Sequence, residues 1–183
     1  AGSTPDALKS YERALALVKT SKAKPLAEAS ILAGIGRAYL AQKDFPRALD
    51  NLTTALEMAE LRQETSLVQR VSSALGDTFL QSRRESEAIP YFKKAIDNIE
   101  STRSLLDSEE YRISFFANQG LAYKGIIQAQ LAVKNFADAF SYSERARSRA
   151  FLDILGNKVQ LTRSGTLIEH ERALQARISV LRA

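Results

Sequence analysis

The sequence predicts an all-α fold, a right-handed solenoid of helical hairpins with a period of about 40 residues. Residues that favour helix dominate the composition, whereas Gly (8) and Pro (4) are few for a chain of 183 residues. The segment Gly34–Ala48 recurs as Gly125–Ala139, with eight of the 15 positions identical. A second amphipathic stripe follows each copy, so each unit should consist of two helices that bury their apolar faces against the next unit.

The units are brought into register by their alanines, because Ala7, Ala48, Ala88 and Ala139 lie 41, 40 and 51 residues apart. The first helix, about residues 4–20, carries the second-helix stripe with no first helix before it. We therefore expect an exposed apolar strip and self-association through exposed terminal helices. The strip consists of Leu8, Tyr11, Leu15 and Leu17.

Capping residues predict where the helices begin. Asp44 and Asn135 can each cap the helix that comes after it, and Pro46 suits a first helical turn. The long third interval contains Asp107, which has capping-box spacing with Glu110 and predicts a helix over about residues 108–134.

The repeat array is predicted to span residues 4–155, as a half repeat and three hairpins of which the last is divergent. Gly156-Asn157 is the predicted helix stop. Residues 156–183 are predicted to form a connector, with the sequence QLTRSGT, and then the start of a linking helix.

Small and bulky residues recur at fixed positions of the first two complete units. Gly36 and Gly76 lie mid-helix, where Gly costs up to about 1 kcal/mol relative to Ala, so their recurrence indicates close helix packing. The pattern resembles the tetratricopeptide repeat over about residues 4–155, although the usual repeat has about 34 residues. The resemblance implies stacked hairpins with a concave protein-binding face. It is carried by Gly36, Tyr39, Ala48, Leu52, Ala55, Gly76, Phe79, Ala88, Phe92 and Ala95.

The last unit departs from this pattern, since Ile127 and Gln130 stand at the small and aromatic positions. Arg147 takes the register of Leu56 and Ile96. Because burial of an unpaired guanidinium is costly, we expect Arg147 to be paired, to be the most buried arginine of its helix, and to latch the array to the segment C-terminal to it. Removal of Arg145 is expected to change little unless a partner is bound. The array-closing set is Arg145, Arg147, Arg149 and Asp153.

The string YSERARSRAFLDIL is similar to the segment that closes the repeat array in bacterial proteins joining tetratricopeptide repeats to a C-terminal CHAT domain, which has a caspase-like fold. The resemblance implies the regulatory or recognition region of a larger protein, whose own downstream domain would be one partner. No catalytic residue is carried over. The matching residues are Glu144, Arg145, Arg147, Arg149, Leu152, Asp153 and Leu155.

The net charge of +5 is concentrated near the end of the sequence. Eight of the 26 basic residues but only three of the 21 acidic residues lie from Arg145 onward, so the first 144 residues are neutral overall. This distribution argues against a nucleic-acid groove along the whole protein. Nucleic-acid or polyanion binding by the C-terminal basic segment stays as the alternative function, and the expected lack of interleaved exposed aromatic residues there disfavours it.

Catalytic, metal and membrane functions are disfavoured. The chain has no Cys, and its single His170 lies in a charged EHER string that is typical of a solvated helix face. No phosphate loop, metal-ligand cluster or nucleophile–base pair is present, so we expect no enzyme activity, no cofactor and no metal. No apolar run approaches the roughly 20 residues that span a bilayer, and we expect a cytoplasmic protein.

The leading hypothesis is a protein-interaction scaffold that binds a protein or peptide in its concave face, which the first helix of each unit forms. Small residues there leave room for a partner helix or an extended segment. The candidate partner-binding residues are Arg37, Arg70, Asp77, Lys124 and Gln128.

Overall fold

A computed structural model of the chain describes residues 4–20, 25–104 and 120–162, and these ranges contain seven helices and no strand. The fold class predicted from the repeat pattern, an all-α array of helical hairpins, is confirmed. The helices are α1 (Thr4–Thr20), α2 (Pro25–Ala41), α3 (Phe45–Leu61), α4 (Thr65–Gln81), α5 (Glu85–Ser104), α6 (Gly120–Ala132) and α7 (Phe136–Thr162).

The helices pack as three hairpins, α2–α3, α4–α5 and α6–α7, and α1 stacks as an unpaired second helix against α2. One buried cluster continues from α2 to α6, with residues of α7 packed against it. The first helices α2 and α4 contact each other, as do α4 and α6, so they form a row along one side of the array. This arrangement buries each apolar stripe between neighbouring hairpins, as a solenoid requires.

The repeated glycines are sites of close helix packing, as predicted. A Cβ at Gly36 would lie 2.6 Å from Leu52 Cγ of the same hairpin, and a Cβ at Gly76 would lie 2.7 Å from Phe92 Cε1. A Cβ at Gly125, on the next hairpin, would also meet the Phe92 ring. Phe92 is fully buried, so its ring fills the space that glycines leave on both sides.

Each described turn between consecutive helices has the same geometry. One residue adopts left-handed φ, and the N–H of the residue after it bonds back to a carbonyl five positions earlier, for example Asp44 to Tyr39 O at 3.0 Å. This is the Schellman arrangement, which satisfies carbonyls at the end of a helix. The left-handed residues are Lys43 (φ 61°), Gln63 (54°), Arg83 (62°) and Lys134 (62°).

The residue after the left-handed one also begins the next helix. Asp44 caps α3 by accepting the Arg47 N–H at 3.2 Å, and Pro46 lies in the first turn. Asn135 Oδ1 accepts the Asp138 N–H at 3.3 Å at the start of α7. The predicted caps are therefore confirmed.

The first helix has the bounds predicted for it, but its apolar strip is only partly exposed. Leu8 is 9% exposed and packs with residues of α2, and Leu15 is partly buried. Tyr11 lies against Gly34, where its ring occupies the space of a side chain. Leu17 is 69% exposed.

The helix stop predicted at Gly156-Asn157 is wrong, because α7 continues to Thr162 and includes the first residues of the predicted connector. A single Gly in a helix costs only about 1 kcal/mol, and the residues after this one, Lys158 to Leu161, are compatible with helix. The predicted Asp107 cap, the start of the helix over residues 108–134, and the linking helix lie outside the described residues. The division of the chain at residue 155 stays a prediction.

Candidate interaction groove

The row of first helices borders a cavity of about 770 Å³. Its walls come from α2, α4 and the start of α6, with Ile99 of α5 also lining it. The repeat places these side chains together, because the same face of each first helix points away from its own second helix. The walls consist of Arg37, Leu40, Ala41, Lys43, Ser66, Gln69, Arg70, Ser73, Ala74, Asp77, Gln81, Ile99, Leu121 and Ala122.

Two guanidinium groups in this groove have no partner among the residues that the structure describes. Arg37 and Arg70 are both exposed, and within the described residues neither forms a hydrogen bond or an ion pair. Lys43 adds a third positive charge to the wall. The described lining of the groove therefore carries an excess of positive charge.

Asp77 is the one acidic residue among the described groove-lining side chains. It is half-buried, and burial of the carboxyl raises its pKa to about 6. No hydrogen bond or ion pair reaches it from the described part of the chain. A carboxylate held in this way is poorly compensated, and a cationic or hydrogen-bond-donating group of a partner would stabilise it.

The structure brings together three of the five residues predicted for the concave face, namely Arg37, Arg70 and Asp77. Lys124 and Gln128 are exposed on α6 but do not line the groove. Whether any of the five binds a partner stays a prediction.

Sequence reasoning missed most of the other residues that line the groove, and two of them, Leu121 and Lys43, bear on what it could bind. Leu121 stands 51 residues after Arg70, at the same register, and is 67% exposed. The register alone could have found it. Lys43 reaches the wall from a left-handed turn position, which no helical periodicity would indicate.

The order of burial predicted for Arg145 and Arg147 of α7 is wrong. Arg147 has a side chain that is 73% exposed, and it pairs with Glu144 on its own helix at 2.9 Å. Arg145 is the more buried of these two, with a side chain 39% exposed. Leu56 and Ile96, the equivalents of Arg147 in the earlier units, are buried because another hairpin packs over them. None of the described residues packs over Arg147 in this way. The side chains of Arg149 and Asp153 lie outside the described part of the structure.

Arg145 joins the last hairpin to the preceding one. Its Nη2 donates to Glu100 Oε1 of α5 at 2.8 Å, and the same oxygen accepts the Tyr123 hydroxyl of α6 at 2.6 Å. The guanidinium also lies 5.0 Å from the centre of the Tyr142 ring. Burial alone would lower the pKa of Arg145, but the hydrogen bond and charge of Glu100 raise it overall. The Arg145–Glu100 ion pair and the Tyr123 hydrogen bond together link α5, α6 and α7. Removal of Arg145 should therefore destabilise this junction, contrary to the expectation from sequence that it changes little.

The same contact occurs one unit earlier. Lys94 of α5 pairs with Glu60 of α3 at 2.5 Å, and these residues stand 51 before Arg145 and 40 before Glu100. The acid and the base therefore keep the same repeat positions at two successive junctions. Arg145 therefore has the same role between hairpins that Lys94 has one unit earlier. The last unit differs because Phe151, which is 60% exposed, stands at the position equivalent to Glu60 and Glu100.

Gln130 occupies the aromatic position of the last hairpin. It is buried, and its Nε2 donates to Asp138 Oδ2 at 3.2 Å. Its equivalents Tyr39 and Phe79 instead each carry an arginine over the ring, at 4.9 and 4.6 Å from the ring centre. The polar pair replaces a cation–π contact and satisfies the amide nitrogen of Gln130, whereas its Oε1 is buried without a hydrogen-bond partner among the described residues.

Comparison with known families and proteins gives one kind of match. Two models described as tetratricopeptide repeat match the chain, one over residues 1–60 and the other over residues 33–101, and together they cover more than half of it. A search of curated proteins found no match.

Two further findings concern only the described residues. They contain no group of three or more His, Asp or Glu side chains that could hold a metal ion. None of the helices they form is long and apolar enough to cross a membrane.

Proposed function

Because the chain belongs to the tetratricopeptide repeat family, whose repeats generally mediate protein–protein interactions, we propose that it is an interaction scaffold whose groove binds a segment of a partner protein. The observation that carries the proposal is the groove itself, in which Arg37, Arg70 and Asp77 converge without partners in the described structure. A cleft that holds a carboxyl group whose pKa is raised by burial, as that of Asp77 is, is a typical functional-site candidate.

An extended or helical segment suits this groove better than a compact ligand. The walls belong to three successive first helices, so the groove follows the row of hairpins. Its small side chains Ser73, Ala74 and Ala122 allow a backbone to approach closely. Recognition of a peptide in this way needs a few side-chain contacts spread along its length.

The test starts with a random 12-residue peptide library displayed on phage and selected on the full chain. Affinities of the selected peptides are then measured by fluorescence anisotropy. We expect Arg37→Glu combined with Arg70→Glu to weaken binding at least tenfold, because two attractive charges become repulsive. Arg13→Glu combined with Arg62→Glu is the matched control, since both arginines are exposed outside the groove.

Equal binding by the wild type and the groove double variant would overturn the proposal. A selection that enriches no peptide at all would also overturn it. Circular dichroism on each variant establishes that the helical array is intact before affinities are compared.

We also propose that the array is the recognition region of a larger multidomain protein of the CHAT-containing kind. The support is the string from Glu144 to Leu155, which matches the segment that closes the array in such proteins. The partner would then include the protein's own downstream domain. The sequence of the full-length protein tests this, because a caspase-like domain with a central His and Cys should come after the array, and an unrelated domain would contradict it.

Self-association is a separate part of the proposal. It is supported by exposed apolar side chains on the terminal helices, Leu17 of α1 and Phe136 and Phe140 of α7. Sedimentation velocity at increasing concentration should show a dimer. A strict monomer at high micromolar concentration would contradict it.

A further inference from the structure

We infer that the groove recognises an extended segment, which carries an acidic and a basic residue about three positions apart and an apolar residue beyond the basic one. Arg37 would bind the acid, Asp77 would bind the base, and Leu121 would contact the apolar residue. The inference rests on the proposed function, because it specifies the partner of the same groove.

The repeat register sets the order of these contacts. Arg37 and Asp77 occupy the same position of successive units, 40 residues apart, so they stand side by side on α2 and α4. The charge at this register position therefore changes sign from one hairpin to the next. A segment with acidic residues alone would satisfy Arg37 but would be repelled at Asp77.

The spacing is set by helix packing. The helices α2 and α4 are in contact, and packed helices have axes about 8–10 Å apart. An extended chain advances about 3.3 Å per residue. Two groups that meet equivalent positions on adjacent helices should therefore be about three residues apart in an extended segment.

Asp77 cannot obtain its counter-ion from within the described groove. Arg70 lies seven residues earlier on the same helix, and two turns correspond to about 10.5 Å along the axis. Arg37 is on the adjacent helix but forms no ion pair with Asp77. The half-buried carboxylate is desolvated already in the unbound protein, so a partner cation would meet less competition from water there than at an exposed acid.

The third contact extends the pattern toward α6. Leu121 lines the groove with 67% of its surface exposed, and α4 and α6 are in contact. It stands at the register of Arg70, where an apolar side chain replaces a charge. Burial of an apolar partner side chain against Leu121 would add affinity on the far side of Asp77.

A peptide array tests the inference. Thirteen-residue peptides on a Ser/Gly background carry one Glu and one Lys at separations of one to eight positions, in both orders. A Leu follows four positions after the second charged residue, because Leu121 is displaced by about two helical turns from the register of Asp77. The full chain is applied, and the strongest spots are measured in solution. We expect binding to peak at a separation of three, and replacement of the Lys by norleucine to weaken it about tenfold.

Protein variants assign the charges to their residues. Asp77→Asn should remove the discrimination between Lys and norleucine while the preference for the Glu remains. Arg37→Gln should do the reverse. The exchange Arg37→Asp with Asp77→Arg should reverse the preferred order of Glu and Lys, a result that a merely structural role of either residue would not produce.

The outcomes separate this inference from the proposed function. Binding that is independent of the Glu–Lys separation, or acid-only peptides that bind as well as mixed ones, would overturn the inference and leave the groove as a peptide site. Binding that Arg37→Glu with Arg70→Glu does not weaken would overturn both.

Discussion

Arg145 should stabilise the junction between the last two hairpins, and its replacement by Ala measures how much. The guanidinium and the Glu100 carboxylate have side chains that are 39% and 31% exposed, so solvent screens the pair and we assign it about 0.5–1 kcal/mol. The contact with the Tyr142 ring adds about 0.5 kcal/mol. Arg145→Ala should therefore lower the free energy of unfolding by about 1–1.5 kcal/mol.

Thermal denaturation followed by circular dichroism is the assay. For a chain of this size, 1 kcal/mol corresponds to about 2–4 °C in Tm, so Arg145→Ala should lower Tm by about 4 °C. Arg147→Ala is the matched control, because Arg147 is on the same helix and is mostly exposed. Its Tm should change by about 1 °C or less.

A double-mutant cycle isolates the pair. Arg145→Ala and Glu100→Gln should show a coupling energy of about 0.5–1 kcal/mol, and 1 M NaCl should reduce it, because salt screens exposed charges. Hydrogen exchange should locate the lost protection in α6 and α7, since repeat arrays open unit by unit. Equal Tm values for the two alanine variants, or a coupling energy of zero, would refute the reasoning.

Three further results are expected. Gly76→Ala should destabilise the protein by about 1–2 kcal/mol in urea unfolding, because its Cβ would meet the Phe92 ring, whereas Gly120→Ala, with no atom within 4 Å of its Cβ, should be neutral or stabilising. Lys134→Gly should stabilise by about 0.5–1 kcal/mol, since φ is 62° and Gly adopts it without strain; a lower urea midpoint would contradict this. Asp77→Asn should stabilise by about 1 kcal/mol at pH 7, because the pKa of Asp77 is about 6 in the fold against 3.8 for the unperturbed group. The wild type should therefore lose stability as pH rises from about 4 to 6. If the difference in unfolding free energy between Asp77→Asn and the wild type were the same at pH 3.5 as at pH 7, the raised pKa of Asp77 would be contradicted.

The turns illustrate how far local sequence could predict the fold. Asp44, Pro46 and Asn135 predicted where helices begin, because capping depends on residues within one turn of each other. The left-handed residues Lys43 and Lys134 were not predictable, because neither is the Gly or Asn that usually adopts this φ. The stacked hairpins impose that conformation, and the strain is offset by packing elsewhere.

The groove was predictable in part for a similar reason. The repeat register placed Arg37, Arg70 and Asp77 on first helices, and three such helices in a row must form one surface. Register does not specify how far the groove extends along each helix, so Lys124 and Gln128 were included and Leu121 was not. The raised pKa of Asp77 depends on how deeply neighbouring helices bury it, which a single helix does not determine.

The sequence by itself determined the hairpin array, the positions of close packing and the charge carried by each register position. These depend on periodicity and residue size, which act through near neighbours along the chain. Only the tertiary structure decided which arginine of α7 forms the ion pair with the preceding hairpin. On one helix, Arg145 and Arg147 differ merely in the direction they face, and the partner that distinguishes them, Glu100, lies 45 residues from Arg145 on α5. A contact between residues so far apart in sequence forms only when α5, α6 and α7 pack together. That packing determines how much free energy the burial and pairing of Arg145 contribute.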